Sequence, residues 1–180
     1  MVIDFTLLGI PLYIDQPQEL IGWVGWLLFA GILALLLYRW RALNKKWTGL
    51  QGGIFVGLLV LLILTNIFFE VQLPLPGSLQ MPPQTAGLSE VGVAVLAALP
   101  WVLAAGLLGV FPAAGLGLLS GAMVALLDTH SMFTVLEYCL MATFLGAAFH
   151  QRYRTRFFKW LRHPFFATAL LAITYPLLFL

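Results

Sequence analysis

The chain has 180 residues, of which 62% are hydrophobic and 9% are charged, and its mean hydropathy is +0.99. A soluble domain carries about 25% charged residues because its surface must face water, so this composition excludes an ordinary soluble protein. The net charge of +2, without a basic stripe in a soluble segment, gives no indication of a nucleic-acid partner.

The first 19 residues are predicted to lie in the membrane interface. They are partly apolar, but the run is interrupted at Pro11, Asp15, Pro17 and Glu19. A lipid-spanning helix needs about 20 predominantly apolar residues, and this segment is too broken to supply them. The first span is therefore predicted over 20–38, with aromatic residues at both of its ends, as expected at membrane interfaces.

The second span is predicted over 53–69, followed by a loop over 72–89 that contains four prolines. Residues 91–127 carry no charge, and this run is too long for one crossing of a ~30 Å hydrocarbon layer. Pro112 is the natural break, so we predict spans over 91–110 and 113–127, with a turn at Val110–Phe111. Pro100 is expected to kink the first of these, and two further spans are predicted over 132–149 and 164–180.

The basic residues form two clusters, one after the first predicted span and one after the fifth. Six alternating spans put both clusters on one side, and the positive-inside rule makes that side cytoplasmic. We therefore predict an all-α polytopic bundle of about six spans, a single transmembrane domain over 1–180, with both termini outside an inner or plasma membrane. The membrane-surface residues are Arg39, Arg41, Lys45, Lys46, Arg152, Arg154, Arg156, Lys159 and Arg162. The second cluster is interleaved with aromatic residues, which is typical of a helix lying on an anionic inner leaflet, with docking of a cytoplasmic partner as the alternative.

Small residues recur at every fourth position of the fourth predicted span. Spacing of four puts them on one helix face, where a second backbone can approach closely. We expect an intramolecular helix seam, with a dimer face as the alternative, and a partner groove on the fifth span. The residues are Ala113, Gly117, Gly121 and Ala125, with Ala142 and Gly146 on the fifth span.

Polar residues gather at the predicted outer end of spans 4 and 5. Asp128 and His130 belong to the turn, Glu137 lies inside span 5, and Tyr138 follows it. An ionisable group within a span is costly unless it is paired or hydrated, so it is a functional candidate. These four residues are the predicted ligand site. The alternative is that Glu137 sits at a shallow depth, hydrated or hydrogen-bonded by a neighbouring helix.

Enzyme signatures are missing from the sequence. It has no glycine-rich phosphate loop before a helix, no Gly-x-Ser-x-Gly elbow and no His-Glu-x-x-His motif. Three scattered histidines and the single Cys139 do not make a metal or redox site. We therefore predict no catalytic activity, no metal and no cofactor.

Two stretches resemble a known sensor module. Residues 106–121 read GLLGVFPAAGLGLLSG, and residues 136–146 read LEYCLMATFLG. Together they resemble the five-transmembrane input module of LytS-type sensor kinases, which is itself similar to the substrate-binding S components of energy-coupling-factor transporters. The resemblance covers roughly residues 90–155 and implies a helical membrane fold that recognises a ligand.

These observations leave three functional hypotheses. The first is a non-catalytic sensory or ligand-recognition module, either the membrane part of a longer signalling protein or a small standalone subunit. The second is the substrate-binding subunit of a small-solute transporter, and the third is an accessory structural subunit of a large membrane protein complex. The expected partners are the lipid bilayer and either other membrane subunits or a signalling domain.

Overall fold

The computed structural model describes residues 5–7, 10–12, 14–41, 48–68, 70–73, 91–94, 96–150 and 163–179. In these ranges the chain forms six helices and four short strands. The helices are α1 (Leu20–Trp40), α2 (Gly49–Phe68), α3 (Leu99–Leu107), α4 (Val110–Val124), α5 (Met132–His150) and α6 (Pro164–Phe179). The strands are β1 (Phe5–Leu7), β2 (Ile10–Leu12), β3 (Glu70–Leu73) and β4 (Val91–Ala94).

Four of the helical segments are long and apolar enough to cross a membrane: α1, α2, α5, and α4 with its π-helical extension over Ala125–Thr129. The prediction of a membrane-embedded helical bundle is confirmed at this level. The interfacial segment predicted over 1–19 contains the antiparallel pair of β1 and β2, in which Phe5 lies opposite Leu12. Helix α6 begins at the predicted position, and its 16 residues are fewer than the other four segments have.

In place of the single helix predicted over 91–110, the structure has a strand, a turn and a short helix. Strand β4 pairs with β3 in antiparallel register, from Glu70 opposite Ala94 to Leu73 opposite Val91. A turn over 96–98 follows, and α3 then has only nine residues. At ~1.5 Å per residue, α3 is about 14 Å long, roughly half of the hydrocarbon thickness.

The break between α3 and α4 lies at Gly109, so the turn predicted at Val110–Phe111 is misplaced. Gly109 has φ of +108°, a conformation that glycine adopts without a steric penalty. Pro112 lies in the first turn of α4, where its missing N–H costs no helical hydrogen bond. Likewise Pro100 is the second residue of α3 and does not kink a longer helix.

Helices α4 and α5 pack so closely that their facing glycines leave no room for a side chain. An ideal Cβ placed on Gly117 would lie 2.5 Å from the Ala142 Cβ and 2.7 Å from the Tyr138 carbonyl oxygen. On Gly146 it would lie 2.8 Å from the Cα of Val110. The small-residue face of α4 therefore contacts α5 of the same chain, as an intramolecular seam.

Two groups of buried apolar side chains form the interior. The larger group contains residues from each of the five helices from α2 through α6. The smaller group connects α1 with α4 and α5 through Leu33, Ala114, Leu136 and Cys139. Helix α1 is peripheral, since Leu33 is its one buried residue. Its other faces expose large apolar side chains, which suits lipid and would be unfavourable in water. Examples are Leu20, Ile21, Leu27 and Leu35.

Candidate functional site

The polar turn between α4 and α5 starts with a change in helix type. The five residues that follow α4, Ala125–Thr129, form a π-helical turn, and His130 then adopts the left-handed conformation with φ of 53°. Histidine tolerates this conformation less well than glycine. Hydroxyl groups stabilise the turn: Thr129 Oγ1 lies 2.7 Å from Thr134 Oγ1, and Ser131 Oγ accepts the Phe133 N–H at 3.3 Å.

The segment before α1 attaches to this turn through the backbone. The N–H of Asp15 donates to the carbonyl oxygen of His130 at 2.6 Å, and Asp15 forms a parallel bridge with Ser131. Further along, Pro17 packs against Gly22, where an added Cβ would lie 2.7 Å from the Pro17 Cβ. The first turn of α1 and the α4–α5 turn thus hold the segment at both of its ends.

A cleft of about 270 Å³ lies beneath this segment, lined by Ile14, Gln16, Trp26, Met132 and Val135. The indole N–H of Trp26 donates to the Met132 carbonyl oxygen at 3.2 Å, which ties α1 to the first turn of α5. Gln16 provides an amide in an otherwise mostly apolar lining. The cleft therefore suits a small, mainly apolar molecule that carries a polar group.

None of the four predicted ligand residues, Asp128, His130, Glu137 and Tyr138, is among the residues that line the cleft. Asp128 interacts electrostatically with His130, and both Asp128 and Glu137 interact with Tyr138. Adjacent residues on a helix point about 100° apart, so Glu137 and Tyr138 face different sides of α5. Tyr138 points towards α3, where its ring makes an edge contact with Trp101 at 6.5 Å. The structure therefore places Asp128 and His130 at the turn between α4 and α5, while Tyr138 packs further along α5 against Trp101 of α3.

Sequence reasoning missed the residues that line the cleft. Trp26 was interpreted only as a member of the interfacial aromatic belt, and Gln16 as part of a broken interfacial segment. The one feature that could have indicated the cleft is the interrupted apolar sequence before α1, because a polar, proline-containing segment next to a span can fold back on the bundle. Which side chains it would cover depends on the bridge between Asp15 and Ser131, and no local pattern encodes that pairing.

The described part of the first basic cluster lies at the end of α1. Arg39 and Arg41 are exposed, and the guanidinium carbon of Arg41 lies 4.3 Å from the centre of the Tyr38 ring. The other seven basic residues lie outside the described residues: Lys45, Lys46, Arg152, Arg154, Arg156, Lys159 and Arg162. Within the described ranges, no group of three or more His, Cys, Asp or Glu side chains could hold a metal ion.

Comparisons with known proteins found no matching family model, no matching characterised protein and no matching solved structure.

Proposed function

We propose that the chain is a non-catalytic membrane module that recognises a small ligand in the cleft between the N-terminal segment, α1 and α5. The observation that supports this proposal is the cleft itself. It is lined from three parts of the chain, and Gln16 belongs to the segment that Asp15 ties to the α4–α5 turn. Under the proposed topology the cleft opens at the outer face.

The dimensions and lining of the cleft limit the ligand. Its volume of about 270 Å³ is just below the roughly 300–1,000 Å³ typical of small-molecule sites. Trp26, Met132, Val135 and Ile14 offer apolar contacts, while Gln16 can both donate and accept a hydrogen bond. The proposed ligand is a small, largely apolar molecule with one polar end, reaching the cleft from the outer leaflet.

The connection between the cleft and the turn supports a sensory role. Asp15 lies between the cleft residues Ile14 and Gln16, and its backbone N–H donates to the carbonyl oxygen of His130. His130 itself has a strained, left-handed backbone conformation. A ligand that displaces the segment would therefore act directly on the end of α4. This proposal agrees with the resemblance of residues 90–155 to the input modules of LytS-type sensors.

We further propose that the chain crosses the inner membrane six times and that the third crossing is only partly helical. Ala97, just before α3, accepts a hydrogen bond from Ser120 in the middle of α4. At the other end of α3, Gly106 approaches Phe149, close to the last residue of α5. Strand β4 and the turn would cover the outer half of this crossing, and α3 the inner half.

This broken crossing favours one second candidate, a substrate-binding subunit of a small-solute transporter. Discontinuous spans in transporters place non-helical backbone and half-helix ends near the membrane midplane, where substrates bind. Under this alternative the solute would bind near the start of α3 and not in the cleft under the N-terminal segment.

Native mass spectrometry of the protein purified from its own membrane tests the proposal. We expect a co-purifying small molecule that is lost from Val135→Trp, since an indole fills the cleft. Leu28→Trp is the matched control, because Leu28 is exposed on α1 and its replacement should retain the ligand. Ligand retained by Val135→Trp would contradict the cleft and favour the transporter alternative. The absence of any ligand, with a partner protein present in fixed stoichiometry, would favour an accessory subunit.

A further inference from the structure

A chain of hydrogen bonds joins α2, α4 and the turn before α3 in the interior of the bundle. The Nδ2 group of Asn66 donates to the Leu62 carbonyl oxygen at 2.8 Å and to Ser120 Oγ at 3.5 Å. The Ser120 hydroxyl in turn donates to the Ala97 carbonyl oxygen at 3.1 Å. Both donor hydrogens of the amide and the hydroxyl hydrogen are thereby used, which orients the Asn66 carbonyl oxygen away from these partners.

Two polar atoms beside this chain of hydrogen bonds are buried without a partner among the described residues. They are Oδ1 of Asn66, an acceptor, and Nε1 of Trp101, a donor. Each residue is only 3% exposed. Trp101 belongs to the same buried group as Leu62, and Leu62 lies one helical turn before Asn66. Trp101 also follows Ala97 by four residues. A buried polar atom with no partner costs about 1–3 kcal/mol, so an acceptor on α2 and a donor on α3, both in the buried interior, point to a small molecule that satisfies them.

We propose that the interior between α2, α3 and α4 holds a water-sized, uncharged molecule that donates to Asn66 Oδ1 and accepts from Trp101 Nε1. The ligand must carry both a donor and an acceptor, because the protein leaves one of each unsatisfied. It is uncharged because Asn66, Trp101 and the buried residues around them, Thr65, Ser120 and Ala97, carry no charge to compensate an ion. It is small because these neighbours are themselves almost fully buried.

The broken path of the chain before α3 explains why this site exists. Non-helical backbone at membrane depth is tolerated only where protein buries it or where it meets water. Ser120 satisfies the carbonyl of Ala97, and the Leu96 carbonyl accepts the Leu99 N–H at 3.0 Å. The bound molecule would then satisfy the two side-chain atoms that remain, Asn66 Oδ1 and Trp101 Nε1. The site is separate from the cleft under the N-terminal segment, and it does not depend on a ligand in that cleft.

NMR of the full chain in detergent micelles, with 15N-labelled tryptophan, tests the site directly. Trp101→Phe identifies the indole resonance of Trp101. We expect a cross-peak between the Trp101 Nε1–H and the bulk-water frequency, with the sign of a long-lived bound molecule, and its loss in Asn66→Leu. Thr65→Val is the matched control, since Thr65 is equally buried and its hydroxyl bonds only to the Leu62 carbonyl oxygen. It should keep the cross-peak.

Each outcome decides the proposal. A cross-peak at the frequency of a non-protein, non-detergent molecule would assign the same site to a co-purified solute in place of water. In the wild-type protein, cross-peaks from the Trp101 indole N–H to protein protons only, such as those of the Asn66 amide, would overturn the site. This result needs no variant, so it holds even if Asn66→Leu fails to fold. A water cross-peak that persists unchanged in folded Asn66→Leu would also overturn it, because Asn66 would then not hold the molecule.

Discussion

Gly117→Ala should destabilise the protein although it adds only one methyl group. The new Cβ would lie 2.5 Å from the Ala142 Cβ and 2.7 Å from the Tyr138 carbonyl oxygen, whereas non-bonded carbon atoms pack at about 3.5–4.0 Å. Both neighbours are fixed to the α5 backbone, so α5 must move away from α4 by about 1 Å to restore ordinary contact distances. Such overpacking typically costs 1–3 kcal/mol, and we expect about 2–3 kcal/mol because a rotamer change cannot relieve this contact.

Thermal unfolding in detergent, followed by circular dichroism, measures the effect. For a chain of this length, 2–3 kcal/mol corresponds to a fall of roughly 5–10 °C in the midpoint. Gly115→Ala is the matched control, since Gly115 lies on the same helix with nothing within 4 Å of an added Cβ. It should leave the midpoint unchanged or raise it, because alanine favours helix by up to about 1 kcal/mol over glycine. Equal midpoints for the two variants would refute a close α4–α5 contact at Gly117.

Four further outcomes are expected. His130→Val should be less stable than His130→Gly by about 1–2 kcal/mol in thermal unfolding, because a left-handed backbone is costly for a β-branched residue; equal midpoints would argue against the conformation at the α4–α5 turn. Gln16→Leu should reduce the amount of co-purifying ligand, while Glu137→Gln should leave it unchanged, and the reverse pattern would move the site to the predicted polar cluster. In a thiol-labelling experiment Cys139 should stay unreactive until the protein unfolds, because it is 2% exposed. Single cysteines introduced into that protein should react from the cytoplasmic side at positions 44 and 155 and from outside at position 80, and the opposite pattern would overturn the proposed topology.

The candidate site could be predicted only in part. Spacing along the chain identified the α4 face at Gly117 and Gly121, because small residues four positions apart share a helix face in any context. The polar turn at Asp128 and His130 was also visible, as a charged interruption between two apolar runs. The cleft was not, since it depends on how residues 14–16 return to the start of α5 through a hydrogen bond to the His130 carbonyl.

Local sequence patterns are enough to predict a helical membrane protein and to place most of its helix ends. Long apolar runs can satisfy their backbone hydrogen bonds in lipid only as helices or closed barrels, so hydropathy and length suffice for α1, α2 and α5. The path of residues 91–109, by contrast, depends on contacts with distant parts of the chain. Their composition fits an apolar helix, but the pairing of β4 with β3 and the bond from Ser120 to the Ala97 carbonyl supply the backbone with non-local partners. Such partners come from segments distant in sequence, and a local apolar pattern carries no information about them.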